Sequence, residues 1–284
     1  MLKRTCGVCS MSLKKTLRHA RIILLLILLF IYMDYTLHGI RSFCLSFGVK
    51  VSIFEIIVQM FSSANVQGCF ILFYAFLISD LPGVDLCEQY VLVRSGKWSW
   101  ILGKMMTVIC LAFVWLLIIA LYTFIIVREL NFSTKWGSAM ITLSKTNAYS
   151  EYSIRMIFES KVITNYTLPQ ATILSIALNA SYLIVGSVWV LLINFVSNRP
   201  AGCFVLAATA FISMSIGGIL NSGAIYKFSP ASLALLSVVN GGIDTAYPTL
   251  QYAIIFYISA AVLGCTLLLI VCGARKDFSK LRVS

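Results

Sequence analysis

The sequence predicts an all-α, polytopic membrane protein with six transmembrane helices and one short helix on the cytoplasmic side between the second and third. Three observations carry this prediction. Of 284 residues, 60% are hydrophobic and 11% charged, with a mean hydropathy of +0.94; soluble domains carry about 25% charged residues. A soluble core of this size would leave too few polar side chains to cover its surface. Apolar runs also recur at lengths near the roughly 20 residues that cross a bilayer. Finally, Lys and Arg sort unevenly between the two ends of those runs, as orientation in a membrane requires.

The elements follow in order. Residues 1–21 carry Lys3, Arg4, Lys14, Lys15, Arg18 and Arg21 and no acid. An apolar run starts at Ile22. A basic start and an apolar centre also mark a secretory signal, but no small-x-small cleavage site follows, so an uncleaved first span is expected at 22–40. Residues 51–60 fit either a helix lying on the membrane surface or the first turns of span two. Span two is placed at 63–79 and ends at Asp80-Leu81-Pro82-Gly83, because Pro removes a backbone donor and disfavours helix before it. A polar segment, 80–100, then separates spans two and three. Val84 to Arg94 allows about three helical turns, with Asp85 and Arg94 disposed to suit the helix dipole. Trp98 and Trp100 suit a membrane interface, and Lys97 and Lys104 are expected to snorkel there.

Span three is placed at 101–127. The mixed region 128–170 is extracytoplasmic. Span four covers 171–196, the turn Ser197-Asn198-Arg199-Pro200 follows, and span five covers 202–220, rich in the small residues that let membrane helices approach closely. Residues 221–248 hold Gly223, Pro230, Gly241, Gly242 and Pro248. They are too broken for one span and fit short re-entrant pieces shielded from lipid. Span six is placed at 250–272, before a basic tail. Fourteen of the 22 Lys and Arg fall in the N-terminus, the 80–104 connection, Arg199 and the tail. The other eight spread over longer loops. Both termini and the 80–100 segment are therefore expected in the cytoplasm, and the chain in the cytoplasmic membrane.

Chemistry is sparse. The net charge of +12 belongs to these flanks, and no nucleic-acid partner is expected, since basic and aromatic residues do not interleave. Cys6 and Cys9 form a CxxC, but the two histidines, His19 and His38, complete no zinc pattern, and no disulfide framework is indicated. Gly96-Lys97 lacks the upstream glycine of a phosphate-binding loop, and HExxH and GxSxG motifs are absent. No enzymatic activity and no cofactor are expected in this chain. Asp34 and His38 share a helix face near the outer end of span one, where solvation accounts for them. Asn131-Phe132-Ser133 and Asn165-Tyr166-Thr167 match a glycosylation sequon, a short and common pattern.

Three stretches carry a resemblance: Ser79-Asp80-x-Pro82 with Val93-Arg94-Ser95-Gly96-x-x-x-Trp100-x-x-x-Lys104; Asn165-Tyr166-Thr167-Leu168-Pro169-Gln170-Ala171; and Tyr247-Pro248-Thr249-Leu250 with Lys276-Asp277-Phe278. With the six-span layout they make the chain resemble a permease subunit of the ABC-2 type of ATP-binding-cassette transporters, of the kind found in Gram-positive bacteria. The resemblance implies export of a substrate driven by a separate ATPase subunit, which would bind ATP and Mg. It implies a second permease subunit, identical or related. It also implies that the 80–100 segment holds a coupling helix, with Asp80, Pro82, Glu88, Arg94, Gly96, Trp100 and Lys104 making or supporting the ATPase contact. Two other classes fit the composition: a secondary transporter acting alone, which calls for inverted repeats and charged broken helices, and a non-transporting immunity or sensor protein that binds a peptide through 128–170.

Overall fold

The computed structural model describes residues 1–83, 86–127, 130–146, 152, 154, 156, 160–216, 223–239 and 247–274. Readings that rest on Asp85, Arg128, Glu129, residues 217–220 of the fifth span, Gly241, Gly242 and the basic tail lie outside these residues.

The described chain is helical apart from one pair of two-residue strands. It begins with α1 (Leu2–Arg18) and α2 (Ala20–Phe47), separated at His19, whose extended backbone turns the chain. Next come β1 (Val51–Ser52), α3 (Ile53–Ser62), α4 (Ala64–Ile78), α5 (Leu86–Ser95) and α6 (Lys97–Ile126). Strand β2 (Leu130–Asn131) pairs in parallel with β1, Val51 opposite Leu130. Two short helices, α7 (Ser138–Lys145) and α8 (Ser160–Asn165), precede α9 (Leu168–Ser197), α10 (Gly202–Ser215) and α11 (Leu250–Ala274).

Four helices are long and apolar enough to cross a membrane: α2, α6, α9 and α11. The bent pair α3 and α4 makes a fifth if counted as one span. The molecule is thus an all-α, membrane-embedded protein. Helix α6, with 30 residues, is about 45 Å long at 1.5 Å per residue, longer than a hydrocarbon core of about 30 Å. Helix α10 has 14 residues, about 21 Å.

The second span departs from a straight rod. Helices α3 and α4 meet at Ser63 with a bend of 84°, and Ser63 has φ −90° and ψ 115°. Residues 53–62 are therefore a separate helix turned away from α4. Its start is fixed by its own side chain: Glu55 Oε2 accepts the Ser52 N–H at 2.8 Å, and Glu55 Oε1 accepts the N–H of Gly137. Ser52 Oγ donates to Ser133 O at 2.9 Å. The far ends of the helices are in this way stitched to the segment that follows α6.

Helix α9 is the hub, packing against α3, α4, α6, α10 and α11. Its N-terminus begins at Leu168 with Pro169 in the first turn and Gln170 Oε1 accepting the Thr167 N–H at 3.3 Å, the arrangement Pro favours. The broken segment after α10 enters the protein as two 3₁₀ turns, Ile225–Phe228 and Ser232–Ala234, with residues 231–239 buried. It meets the α3–α4 bend through a polar network. Gln67 Nε2 donates to Asn179 Oδ1 at 2.8 Å, Asn179 Nδ2 donates to Ala234 O at 3.2 Å, and Ser237 Oγ donates to Ser62 O at 2.7 Å. The last two bonds satisfy backbone carbonyls that a 3₁₀ turn and a bend leave without helical partners.

Asp34 and His38 are both exposed on α2. The level at which they sit follows from α6: Tyr122 packs edge-on against Phe30 and its hydroxyl donates to Leu26 O at 3.4 Å. Tyr122 is one turn below the end of α6, so Asp34 stands near that end.

Candidate functional site

The described residues of the segment singled out by sequence, 80–100, form with Lys104 one compact polar assembly at the end of the bundle that carries α1 and α5. Helix α5 is 10 residues long, with Glu88 in its first turn and Arg94 in its last. Helix α6 starts after Gly96, whose φ of 82° and ψ of 150° belong to a region that only glycine adopts without strain. Trp100 and Lys104 follow on one face of α6 at i and i+4.

The geometry corrects the expectation of interfacial anchors at Trp100 and Lys104. Trp100 has no exposed surface, and Lys104 is 1% exposed. Instead of snorkelling, Lys104 turns inward and donates to Glu88 Oε1 at 2.8 Å, with its ammonium 5.5 Å from the Trp100 ring centre. Glu88 is itself 4% exposed and accepts a second, longer bond from Lys15 Nζ at 3.4 Å. One carboxylate therefore joins α5 to both α6 and α1. Either ion buried alone would be costly, so the close partner charge is what makes the burial of each tolerable.

The turn before α5 is held separately. Arg21, at the start of α2, places Nη1 2.5 Å from Asp80 Oδ2. Pro82 is buried, and its peptide with Leu81 is cis. Asn194 of α9 donates through Nδ2 to Leu81 O at 2.6 Å and Ser79 O at 3.2 Å, while its Oδ1 accepts the Gly202 N–H at 2.7 Å. A cavity of about 260 Å³ remains between these groups, lined among others by Lys15, His19, Arg21, Asp80, Glu88 and Lys104. Of the seven predicted residues, Asp80, Pro82, Glu88, Trp100 and Lys104 therefore lie in or beside the clamped interior. Arg94 is exposed on α5 together with Tyr90 (80%) and Val93 (85%). Those three side chains form the outward face of the helix.

Sequence reasoning missed three members. Lys15 and Arg21 counted only as orientation charges, and Asn194 passed unnoticed within an apolar run. A lone polar residue inside a membrane span is a signal in its own right, and that signal was available for Asn194. Its bond to Gly202 depends on close approach: a Cβ at Gly202 would stand 2.7 Å from both the Cα and the carbonyl oxygen of Val190. Gly202→Ala is expected to force α10 away from α9 and cost about 1–3 kcal/mol, visible as a lowered melting temperature of the purified protein in detergent.

Other groups contribute little chemistry. Cys6 is exposed and Cys9 buried on α1, neither in a disulfide, and burial pushes the Cys9 thiol above its ordinary value, away from the reactive thiolate. Among the described residues, no cluster of three His, Cys, Asp or Glu could hold a metal ion. A larger, apolar groove of about 470 Å³ lies between α9, α10 and α11. Its polar atoms are already engaged: Tyr182 with Thr209 at 2.6 Å, and Tyr257 donating to Pro230 O at 2.8 Å.

In comparison with known proteins, the chain matches no family model, no curated protein and no solved structure.

Proposed function

We propose that this chain is the membrane-spanning permease subunit of an ATP-driven exporter, with six spans, both termini in the cytoplasm, and α5 as the helix through which a separate ATPase acts. In this reading α3 and α4 form one broken span, α10 belongs to the fifth and α11 is the sixth. The ATPase holds the ATP and Mg. A second permease subunit completes the pathway, and the assembly resides in the cytoplasmic membrane.

The observation that carries the reading is the two-sidedness of α5. Its outer face presents Tyr90, Val93 and Arg94, and its inner face is tied through Glu88 to Lys104 of α6 and Lys15 of α1. A push on the outer face is delivered to two other helices through a short, buried ionic link. Nucleotide shifts such a system only if it favours one arrangement of the pair over the other.

The test is purification of the intact chain from native membranes, with identification of retained proteins. A phosphate-loop ATPase is expected, and Arg94→Glu is expected to reduce its retention at least tenfold. If no ATPase is retained, the reading fails. If one is retained equally by Arg94→Glu and Tyr90→Ala, the docking face lies elsewhere.

A second reading, a transporter that works alone, draws on the 84° break beside the buried side chains of Gln59, Gln67 and Asn179, since broken helices line the sites of secondary transporters. Transport by the purified chain in liposomes without nucleotide would favour it.

A further inference from the structure

The N-terminal helix divides into three faces, and among the described residues one of them makes most of its contacts inside the molecule. Thr5, Val8, Cys9, Ser12 and Thr16 are buried, with Val8 and Thr5 against Gly103 of α6. A second face carries Leu2 (81% exposed), Cys6, Leu13 and Leu17 (46% exposed). At about 3.6 residues per turn these four fall in one sector, and Cys6, Leu13 and Leu17 share a concavity with Met106 on the outer side of α6. The third face is cationic. Lys3, Arg4, Lys14 and Arg18 are all exposed on it, while Lys15, at its edge, and Arg21 beyond the helix are engaged by Glu88 and Asp80. Gly7 lies in the middle of the cationic sector. A side chain there would meet nothing within 4 Å, so packing inside the molecule does not require the glycine. It leaves a shallow groove of about 490 Å³ lined by Ser10, Met11, Lys14, Lys15 and Arg18.

We infer that α1 is a recognition surface for anionic phospholipid, with headgroup phosphates held along the Lys3–Lys14–Arg18 face and the acyl chains against the Leu13–Leu17 face. Charge and apolarity decide the occupant. An acidic protein surface would satisfy the cations but leave Leu2, Leu13 and Leu17 in water. A neutral lipid would cover the leucines but not the charges. Anionic lipid satisfies both faces, which adjoin each other and adjoin Met106 on α6, a helix long and apolar enough to cross the membrane. The combination of an apolar face and a basic face on one helix is what binds an anionic membrane surface. The inference is independent of whether the chain is a permease.

The experiment is native mass spectrometry of the intact, detergent-purified chain titrated with phosphatidylglycerol or phosphatidylcholine. The wild type is expected to retain phosphatidylglycerol in preference, with retention falling as ammonium acetate concentration rises. Affinity should fall by about fivefold for each cation removed in the series Lys3→Gln, Lys14→Gln and Arg18→Gln. All three side chains are exposed, so melting temperature should hold. Leu13→Gln with Leu17→Gln should weaken both lipids alike. Inorganic phosphate at millimolar concentration should not compete; effective competition would reduce the site to a phosphate site without a lipid and overturn the inference. Equal retention of the two lipids, or a triple variant that binds phosphatidylglycerol like the wild type, would also overturn it.

Discussion

Replacing Glu88 with leucine is expected to lower the stability of the protein by about 3–5 kcal/mol. The substitution removes a carboxylate oxygen 2.8 Å from the Lys104 ammonium, which is 1% exposed, and so takes a close negative charge away from a buried cation. The size of the effect comes from the ion left behind rather than from the hydrogen bond removed. That distinction yields a second, sharper expectation. Glu88→Leu combined with Lys104→Met removes both charges and should recover most of the loss, because well-packed apolar groups replace a buried ion pair with little cost. Thermal unfolding of the four proteins in detergent measures the cycle. A double variant no more stable than Glu88→Leu alone would show that the destabilisation arises from packing. Lys15→Met should cost much less, since its bond is longer and its side chain is 32% exposed.

Asn194→Leu is the second large effect. One side chain serves three backbone groups on two segments, the carbonyls of Ser79 and Leu81 and the N–H of Gly202. Leucine is close in size but satisfies none of them. Each buried backbone group left without a partner costs about 1–3 kcal/mol, and the three losses are coupled through shared motion, so about 3 kcal/mol in total is expected. The change should also be local. Hydrogen exchange of the backbone around residues 79–83 and 199–203 should accelerate, while the Ser52 and Gly137 amides bound by Glu55 stay protected. Uniform acceleration across the chain would contradict the idea that Asn194 acts on these two turns.

How much of this was legible depends on the range of the interaction. The break at Pro82-Gly83 was readable because proline and glycine act on their own backbone, whereas the third span was placed from residue 101 and α6 starts at Lys97, four residues earlier. The approximate course of spans at α2, α6, α9 and α11 was readable because apolar runs of that length have few alternatives. The α3–α4 bend was half readable: span two was placed from residue 63, but 51–60 stayed open between a surface helix and the first turns of that span, since Ser63 carries no proline or glycine signal; support for the bend comes from Ser237 and Asn179, far along the chain. Helix α1 escaped notice because its buried face carries Thr5, Ser12 and Thr16, which dilute the apolar periodicity. In the polar assembly, residue types were legible and roles were not. Lys104 has the composition of an interfacial anchor, and only the fold brings Glu88 from 16 positions away into contact with it. Asn194 reaches 113 positions to Leu81, a distance no local pattern encodes.

That last separation has a consequence for how the protein is made. Synthesis proceeds at about 5–20 residues per second, so the carbonyls of Ser79 and Leu81 emerge on the order of ten seconds before the asparagine that will hold them. Arg21 is already present and can engage Asp80 at once, but the turn stays only half secured while α6 and α9 are threaded into the bilayer. The ribosome thus delivers the anchor after the part it anchors, and a truncated chain ending before Asn194 would present α5 on a loosened mount.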